Sequence, residues 1–438
     1  MISPSSENAA RADSSYAEKW ERIVPGTLFH KLESDRQAWL KDFSFRHRLT
    51  FQELRILTQT LRETAMWGEA SALLWLGEWE KTSGSKKNLF RDLEKKITDL
   101  KNRPHDYSAP AWRPKPDKLS FEPKADGREV FGMCPAESKK TVCCNLRTID
   151  AVQGCGFGCS YCTIQTFYQK TVTFDPHFKE KLSKIQLEPG RRYHIGTGQA
   201  SDSLIWGNRE GVLDSLMEFA HNRPNVLLEF KTKSKNTGYF PEEGRTQKLP
   251  PNLVLTWSMN PQKAVEHEEH FTASTEERLN AARGVADRGI PVGFHFHPMI
   301  WYEGWENDYA SLAEEVTTRF RPEEVLFVSI GSLTFIKPVI RQIRERGIFS
   351  KILQMEFVEN PDGKLTYPDW VKEKMFRYMY EALSPWHGKV FTYLCMEKKE
   401  FWHSTFGRCY ETNEMFEEDF LNHSFEKFKP IRNSALSF

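Results

Sequence analysis

Past residue 140 the chain alternates short apolar runs with stretches of helical periodicity. The apolar runs are LRTIDAV (146–152), RRYHIGTG (191–198), NVLLEFKTKS (225–234), NLVLTWSMN (252–260), IPVGFHFHPMI (290–300) and VLFVSIGSLTF (325–335). Their length and their β-branched and aromatic content predict six strands. Helical patterns lie between most of them, from Glu210 to His221 before the third and from Ser274 to Asp287 before the fifth. The latter opens on a capping box, Ser274-Thr-Glu-Glu277, and stops at Gly289. Strands alternating with helices predict an α/β fold with a parallel sheet, open or barrel-like. In a complete or partial (β/α) barrel the active site lies where the strands end. Those ends are polar here: GTGQASDS, KTKSK, SMN and HFHPM.

Ahead of residue 105 the periodicity is helical. Thr50-Phe-Gln-Glu53 is a capping box followed by Leu54, Leu57 and Leu61 at helical spacing, and a second amphipathic stretch runs from Leu89 to Leu100, ending near Pro104. Proline and turn formers crowd 105–127. The expected organisation is a disordered tail (1–15), a helical N-terminal region (16–104), a Pro-rich linker or wrapping segment (105–140), a partial barrel (141–385) and a C-terminal extension (386–438). There is no internal repeat.

Composition narrows the possibilities. The 61 Lys and Arg against 60 Asp and Glu leave a net charge of +1, so a nucleic-acid partner would need a local basic patch. Segment 101–140, with nine basic residues against six acidic and an aromatic in AWRPKP, is one candidate. Trp112, Trp206, Trp301 and Trp305 are candidate walls for an extruded base, or simply packing. No apolar run approaches a membrane span, and MISPSSENAARADSS lacks the apolar stretch of a secretory signal, which predicts a cytoplasmic protein with reduced thiols.

Three of the eight cysteines crowd into GCGFGCSYC, where Cys155, Cys159 and Cys162 follow the spacing C-x3-C-x2-C after the first strand. Three thiolates on a glycine-softened loop can each take one iron of a [4Fe–4S] cubane, leaving one iron open for substrate or cofactor. The same residues also suit a zinc site completed by His177 or by Cys143 or Cys144, or a closed electron-transfer cluster using one of that pair. His295 and His297 share one face of the fifth strand, as a metal-binding pair, as satisfied polar groups at the barrel mouth or as substrate-positioning groups.

C-x3-C-x-aromatic-C after the first strand, with Tyr161 as the aromatic, resembles the radical S-adenosylmethionine (SAM) superfamily. Further along, CSYCTIQT, SDS after strand two, FKTKS, WSMN, ERLNAARGVADRGIPVGFHFHPMIWYEGW, SIGSLTFIKP (329–338) and GKLTY (363–367) are similar, in order over roughly 140–385, to the spore photoproduct lyase family and especially its longer members. The resemblance implies a partial (β/α)6 barrel with an N-terminal helical extension. It also implies a [4Fe–4S] cluster on Cys155, Cys159 and Cys162 and a one-electron reductant such as flavodoxin or ferredoxin. SAM would be held by Ser201, Asp202, Lys233, Ser258 and Asn260. For Lys233 a solvated strand end is the alternative, since Lys231 and Lys235 share its face. The implied reaction cleaves SAM to methionine and a 5′-deoxyadenosyl radical and repairs a thymine cross-link in DNA.

Two positions depart from that family. The cysteine that returns a hydrogen atom is replaced by Gln199, and a relay tyrosine after the last cluster cysteine by Thr163, while Tyr161 remains. An amide does not give up a hydrogen atom as a thiol does. Cys395 is the candidate substitute donor, with Cys409 behind it. The replacements also suit radical chemistry on another substrate, and a non-catalytic iron–sulfur or metal module is the reading from a different class.

Overall fold

A computed structural model describes residues 15–69, 72–82, 84–116, 118–125, 127–164, 170–240 and 249–435. All but the last residue of the expected disordered tail lies outside them. The chain divides into two compact units, one made of residues up to His105 together with Lys337–Glu356, the other of Asp106–Ile336 and Phe357–Phe438.

The first unit is helical. Phe51–Trp67 carries the capping box, with the Thr50 hydroxyl taking the Glu53 amide and the Glu53 carboxylate taking the Thr50 amide, and it ends at Gly68 with φ +68°. Its Leu54, Leu57 and Leu61 pack with Leu40 and Phe43 of Ser34–His47 and with Leu89 and Leu93 of Lys86–Lys101. Helix Lys337–Arg346 belongs to this unit: Arg344 pairs with buried Glu63 at 2.6 Å, and the Arg62 guanidinium reaches the carbonyls of Arg344 (2.9 Å) and Glu345 (3.1 Å). The sequence placed 337–356 inside the barrel region. The compact units divide differently because these pairings span more than 280 positions and leave no local signature.

The second unit is built on a curled half-barrel sheet. Its strands are β1 (Phe131–Met133), β2 (Arg147–Ile149), β3 (Tyr193–Thr197), β4 (Val226–Thr232), β5 (Leu253–Ser258), β6 (Val292–Met299), β7 (Val325–Ser332) and β8 (Phe391–Leu394). They lie in chain order across the sheet, all parallel except β1, which runs antiparallel to β2. Each of the six expected strands is present. β1 and β8 are additions, and β8 comes from the segment read as an extension.

Most central strands are buried on both faces, as parallel strands under helices must be. The C-terminal helix Asn413–Ala435 covers the end where the strands begin. Glu417 pairs there with Arg147 (3.0 Å) and Arg191 (3.2 Å), and Phe420 packs on His194 and Phe327. The opposite mouth, where the strands end, is left to the loops. Among the described residues no helix is long and apolar enough to cross a membrane.

Candidate active site

The chain leaves the main sheet at Asp150. Val152–Gln153 then pairs with Thr171–Phe174, which pairs with Ser120–Pro123 of the Pro-rich segment, so LRTIDAV is split between two sheets. Asp150 Oδ1 accepts the amides of Gln199 and Ala200 (both 2.9 Å), which anchors the loop after β3 beside the start of the cysteine loop. The Ser201 hydroxyl donates to the Gly154 carbonyl (2.8 Å) and accepts from Trp206 Nε1 (3.0 Å).

The glycines of GCGFGCSYC act in two ways. Gly158 has φ +62°, and a Cβ there would stand 3.0 Å from the ring of Phe271. Gly156 is not in the left-handed region; it gives close approach instead, since its Cβ would meet Trp206 at 3.2 Å and Ile205 at 3.3 Å. Segment 268–271 grips the same loop through Ser160 N to the Glu268 carbonyl (2.8 Å) and Phe271 N to the Phe157 carbonyl (3.1 Å). From the Pro-rich segment, the Tyr107 hydroxyl donates to Glu268 (2.7 Å) with its ring stacked on His267.

A cavity of about 450 Å³ opens at the strand ends, and Cys155, Cys159, Cys162, Tyr161, Ser201, Asp202, Lys233 and Ser258 all line it. Gln199 and Thr163 line it as well. None of the eight cysteines is in a disulfide, and no three His, Cys, Asp or Glu side chains among the described residues converge as a single ion requires. Among the described residues, two polar side chains on the walls have no hydrogen-bond partner. The buried Ser258 hydroxyl has no hydrogen bond, and the Lys233 ammonium makes none to a described residue, lying 5.8 Å from the centre of the Tyr161 ring.

Asp202 is used differently. Its Oδ1 accepts from Leu204 N (3.0 Å), Ile205 N (3.0 Å) and Thr232 Oγ1 (2.7 Å), and its Oδ2 from Lys233 N (2.8 Å). Both oxygens thus join the loop after β3 to the end of β4. Burial pushes the carboxyl upward, and these bonds pull it back only in part.

Asn260 does not reach the cavity lining. Its amide donates to Glu269 (2.9 Å) and its oxygen accepts from the Tyr309 hydroxyl (2.6 Å). Glu269 is the hub of this layer: it also accepts from the Tyr161 hydroxyl and pairs with Arg278, and both members of that ion pair are fully buried. Arg278 further donates to the carbonyls of Ala273 (2.9 Å) and Ser258 (2.8 Å).

Electrostatics follow from this packing. Burial works against the Glu269 charge, yet Arg278 and Lys233 hold its carboxyl below the usual range. Burial also opposes the Lys233 charge, while Glu269 and Cys159 hold its ammonium above the usual lysine range. Burial and then the Glu269 carboxylate push the Tyr161 phenol far up.

Glu269, Arg278 and Tyr309 escaped the sequence reading. The one available signal was Arg278 itself, an arginine on the first turn of a capped helix and inside a run already matched to the family.

Other expected residues lie elsewhere. Cys395 follows β8, its amide bonded to the Ile330 carbonyl (2.9 Å), and it is the next residue, Met396, that lines the cavity. Cys143 and Cys144 neighbour Cys134 and Cys395 and do not line it. His177 is exposed beside Glu180, and Cys409 donates to the Tyr410 carbonyl. None of Trp112, Trp206, Trp301 and Trp305 lines the cavity; Trp301 and Trp305 are buried packing, and Trp206 braces the cysteine loop. His295 is a satisfied buried group, bonded to Glu229 (2.6 Å) and Ser329 (2.5 Å), whereas His297 lines the cavity.

Comparison with known proteins meets this geometry. A spore photoproduct lyase of Geobacillus sp. (strain Y412MC61) is 25% identical over 243 residues, covering 53% of this chain and 67% of that protein. One from Clostridium acetobutylicum is 24% identical over 186 residues, covering 41% of this chain and 54% of its own. In solved structures, a spore photoproduct lyase complexed with dinucleoside spore photoproduct shares the fold, with a TM-score of 0.52 and 18% identity over 69% of this chain and 93% of that one. A double mutant with bound AdoMet and dinucleoside spore photoproduct gives 0.51 over the same shares. The sequence model of the spore photoproduct lyase family matches residues 145–384, more than half the chain and the whole of β2 to β7, and the chain belongs to that family.

Proposed function

We propose that this protein is a radical SAM enzyme that holds a [4Fe–4S] cluster on Cys155, Cys159 and Cys162 and repairs a thymine photoproduct in nucleic acid. The observation that carries this reading is the shared cavity: three thiols from one short loop face the same space as the Lys233 ammonium and the buried Ser258 hydroxyl, neither of which makes a hydrogen bond to a described residue. Three thiolates satisfy three irons, and an ammonium and a hydroxyl match the carboxylate and amino groups of a zwitterionic methionine end. The relative with AdoMet and dinucleoside spore photoproduct bound has the same fold. When bound, cluster and cofactor together supply a 5′-deoxyadenosyl radical after one electron from a reductant such as flavodoxin or ferredoxin.

The chain's residues do the rest. Gly158 and segment 268–271 shape the cysteine loop, and Asp202 and Ser201 hold the β3 loop against it through their hydrogen bonds. Lys233 orients the carboxylate, and Ser258 takes a hydrogen bond that the fold leaves unmade. Asn260 acts through Glu269, which holds the Tyr161 hydroxyl and favours the charge on Lys233. Tyr161, locked on Glu269, stays protonated and stands in the cavity wall as the remaining member of the relay. Cys395, one residue behind the wall at Met396, is proposed as the hydrogen donor in place of Gln199. Cys395→Ala should then change product yield or distribution; unchanged products remove it from the mechanism.

Gln199 and Thr163 both face the cavity, and this favours a second reading, the same radical chemistry on a different substrate. A non-catalytic module needs a fourth protein ligand, and Cys143→Ser with Cys144→Ser should then destroy the metal centre.

The deciding experiment is anaerobic reconstitution with iron and sulfide, followed by SAM and a strong reductant, with and without DNA carrying the spore photoproduct. 5′-Deoxyadenosine that is absent in Cys159→Ala, together with repaired thymine, is the expected result. Nucleoside without repair favours the second reading, and a cluster-loaded protein that makes none overturns the enzyme.

A further inference from the structure

Two donors deep in the cavity are not used by the cofactor reading. Alternation along β4 places Glu229, Lys231 and then Lys233 on one face at successive depths, and along β6 it places His295 and then His297. The deepest layer is closed. Glu229 accepts from Thr256 (2.6 Å) and bonds His295 (2.6 Å) and His194 (2.8 Å), so its oxygens go to those three groups and none bonds Lys231. The layer above is open. Lys231 and His297 both line the cavity, and neither side chain makes a hydrogen bond to a described residue. Space for the imidazole is built in, because a Cβ on Gly331 of the adjacent β7 would stand 2.8 Å from its ring atoms.

Both residues are half-buried in the cavity wall, and a ligand that meets both side chains makes hydrogen bonds that the fold itself leaves unmade. Lys231 offers three N–H donors and His297 one or two, and no described residue supplies an acceptor that bonds either side chain. The complement is an oxygen group with negative charge and several lone pairs.

We propose that Lys231 and His297 form a subsite for an oxyanion carried by the substrate, beyond the group that Lys233 holds. Its identity rests on the repair reading above: in a dinucleotide lesion the oxyanion is the phosphodiester between the two linked thymines. A carboxylate on another substrate presents the same chemistry.

The test compares the dinucleoside photoproduct without a phosphate and the same lesion with its phosphodiester, both bound to the reconstituted full chain. Wild type should prefer the phosphodiester form by about tenfold, one charge-assisted contact. Lys231→Met should erase that preference while leaving affinity for the phosphate-free form unchanged, and Lys231→Arg should keep it. Iron content and thermal melting check folding; if Lys231→Met fails to fold, His297→Gln serves, with the preference reduced by about threefold.

Inorganic phosphate, followed by 31P line broadening, and acetate as competitor give a readout independent of the lesion. Equal binding of the two lesion forms by wild type, with no phosphate broadening, overturns the subsite and leaves the repair reading standing. Broadening that is lost in Lys231→Met, with neither lesion form bound, supports the subsite and overturns the repair reading. Acetate binding without phosphate binding supports the oxyanion site and assigns it to a carboxylate.

Discussion

Glu269 and Arg278 form a fully buried ion pair directly beneath the cysteine loop, and the same carboxylate accepts the hydroxyl of Tyr161 and the amide of Asn260. Removing one partner of such a pair strands the other charge. Glu269→Ala is expected to lower unfolding free energy by about 3–5 kcal/mol, against about 1 kcal/mol for Tyr161→Phe, which deletes one bond of several. Urea midpoints measured on both variants check the ranking, and equal losses would refute the hub.

Lys233 is the ammonium best placed to meet a carboxylate. Lys233→Met is expected to weaken SAM binding by about 10–100-fold with iron content unchanged. Because its neighbours hold Lys233 above the usual lysine range, its charge persists below that raised value and is lost only as pH rises through it. Equilibrium dialysis should therefore give flat SAM affinity between about pH 7 and 9. A decline inside that window contradicts the assignment.

His295 gives a stability signature in acid. Burial, with Lys231 adding to it, lowers its pKa to about 4, and Glu229, His194 and His297 are titratable groups in contact or nearby. Between pH 4 and its ordinary value the unfolded chain binds a proton that the folded chain does not. Stability therefore falls as pH drops through that window. His295→Gln should flatten the slope there by about 1.4 kcal/mol per pH unit, the contribution of one proton. Denaturant unfolding at a series of pH values measures it.

Gly158 combines φ +62° with a neighbour 3.0 Å from any added Cβ. Gly158→Ala is expected to cost about 1–2 kcal/mol and to reduce iron retained after reconstitution. Gly190, at φ +81° with nothing within 4 Å of an added Cβ, is the control. Gly190→Ala carries the backbone strain without the clash and should retain its iron.

What the sequence by itself determined is local. The capping boxes at Thr50–Glu53 and Ser274–Glu277 close within one turn, six strands show as apolar runs, and three cysteines within eight positions mark a metal-binding loop candidate by their spacing. The residues that matched the family in order were legible for the same reason. Tertiary structure decided the remainder. It took both oxygens of Asp202 to tie the β3 loop to the end of β4, put Asn260 under the site rather than in it, set Glu269 against Arg278, added β8 beside β7 and assigned 337–356 to the helical unit. Each of these is a pairing between distant segments, formed because buried donors, acceptors and charges must find partners once water is excluded. Which partner each one finds depends on how the strands curl and stack, and no spacing along the chain encodes that.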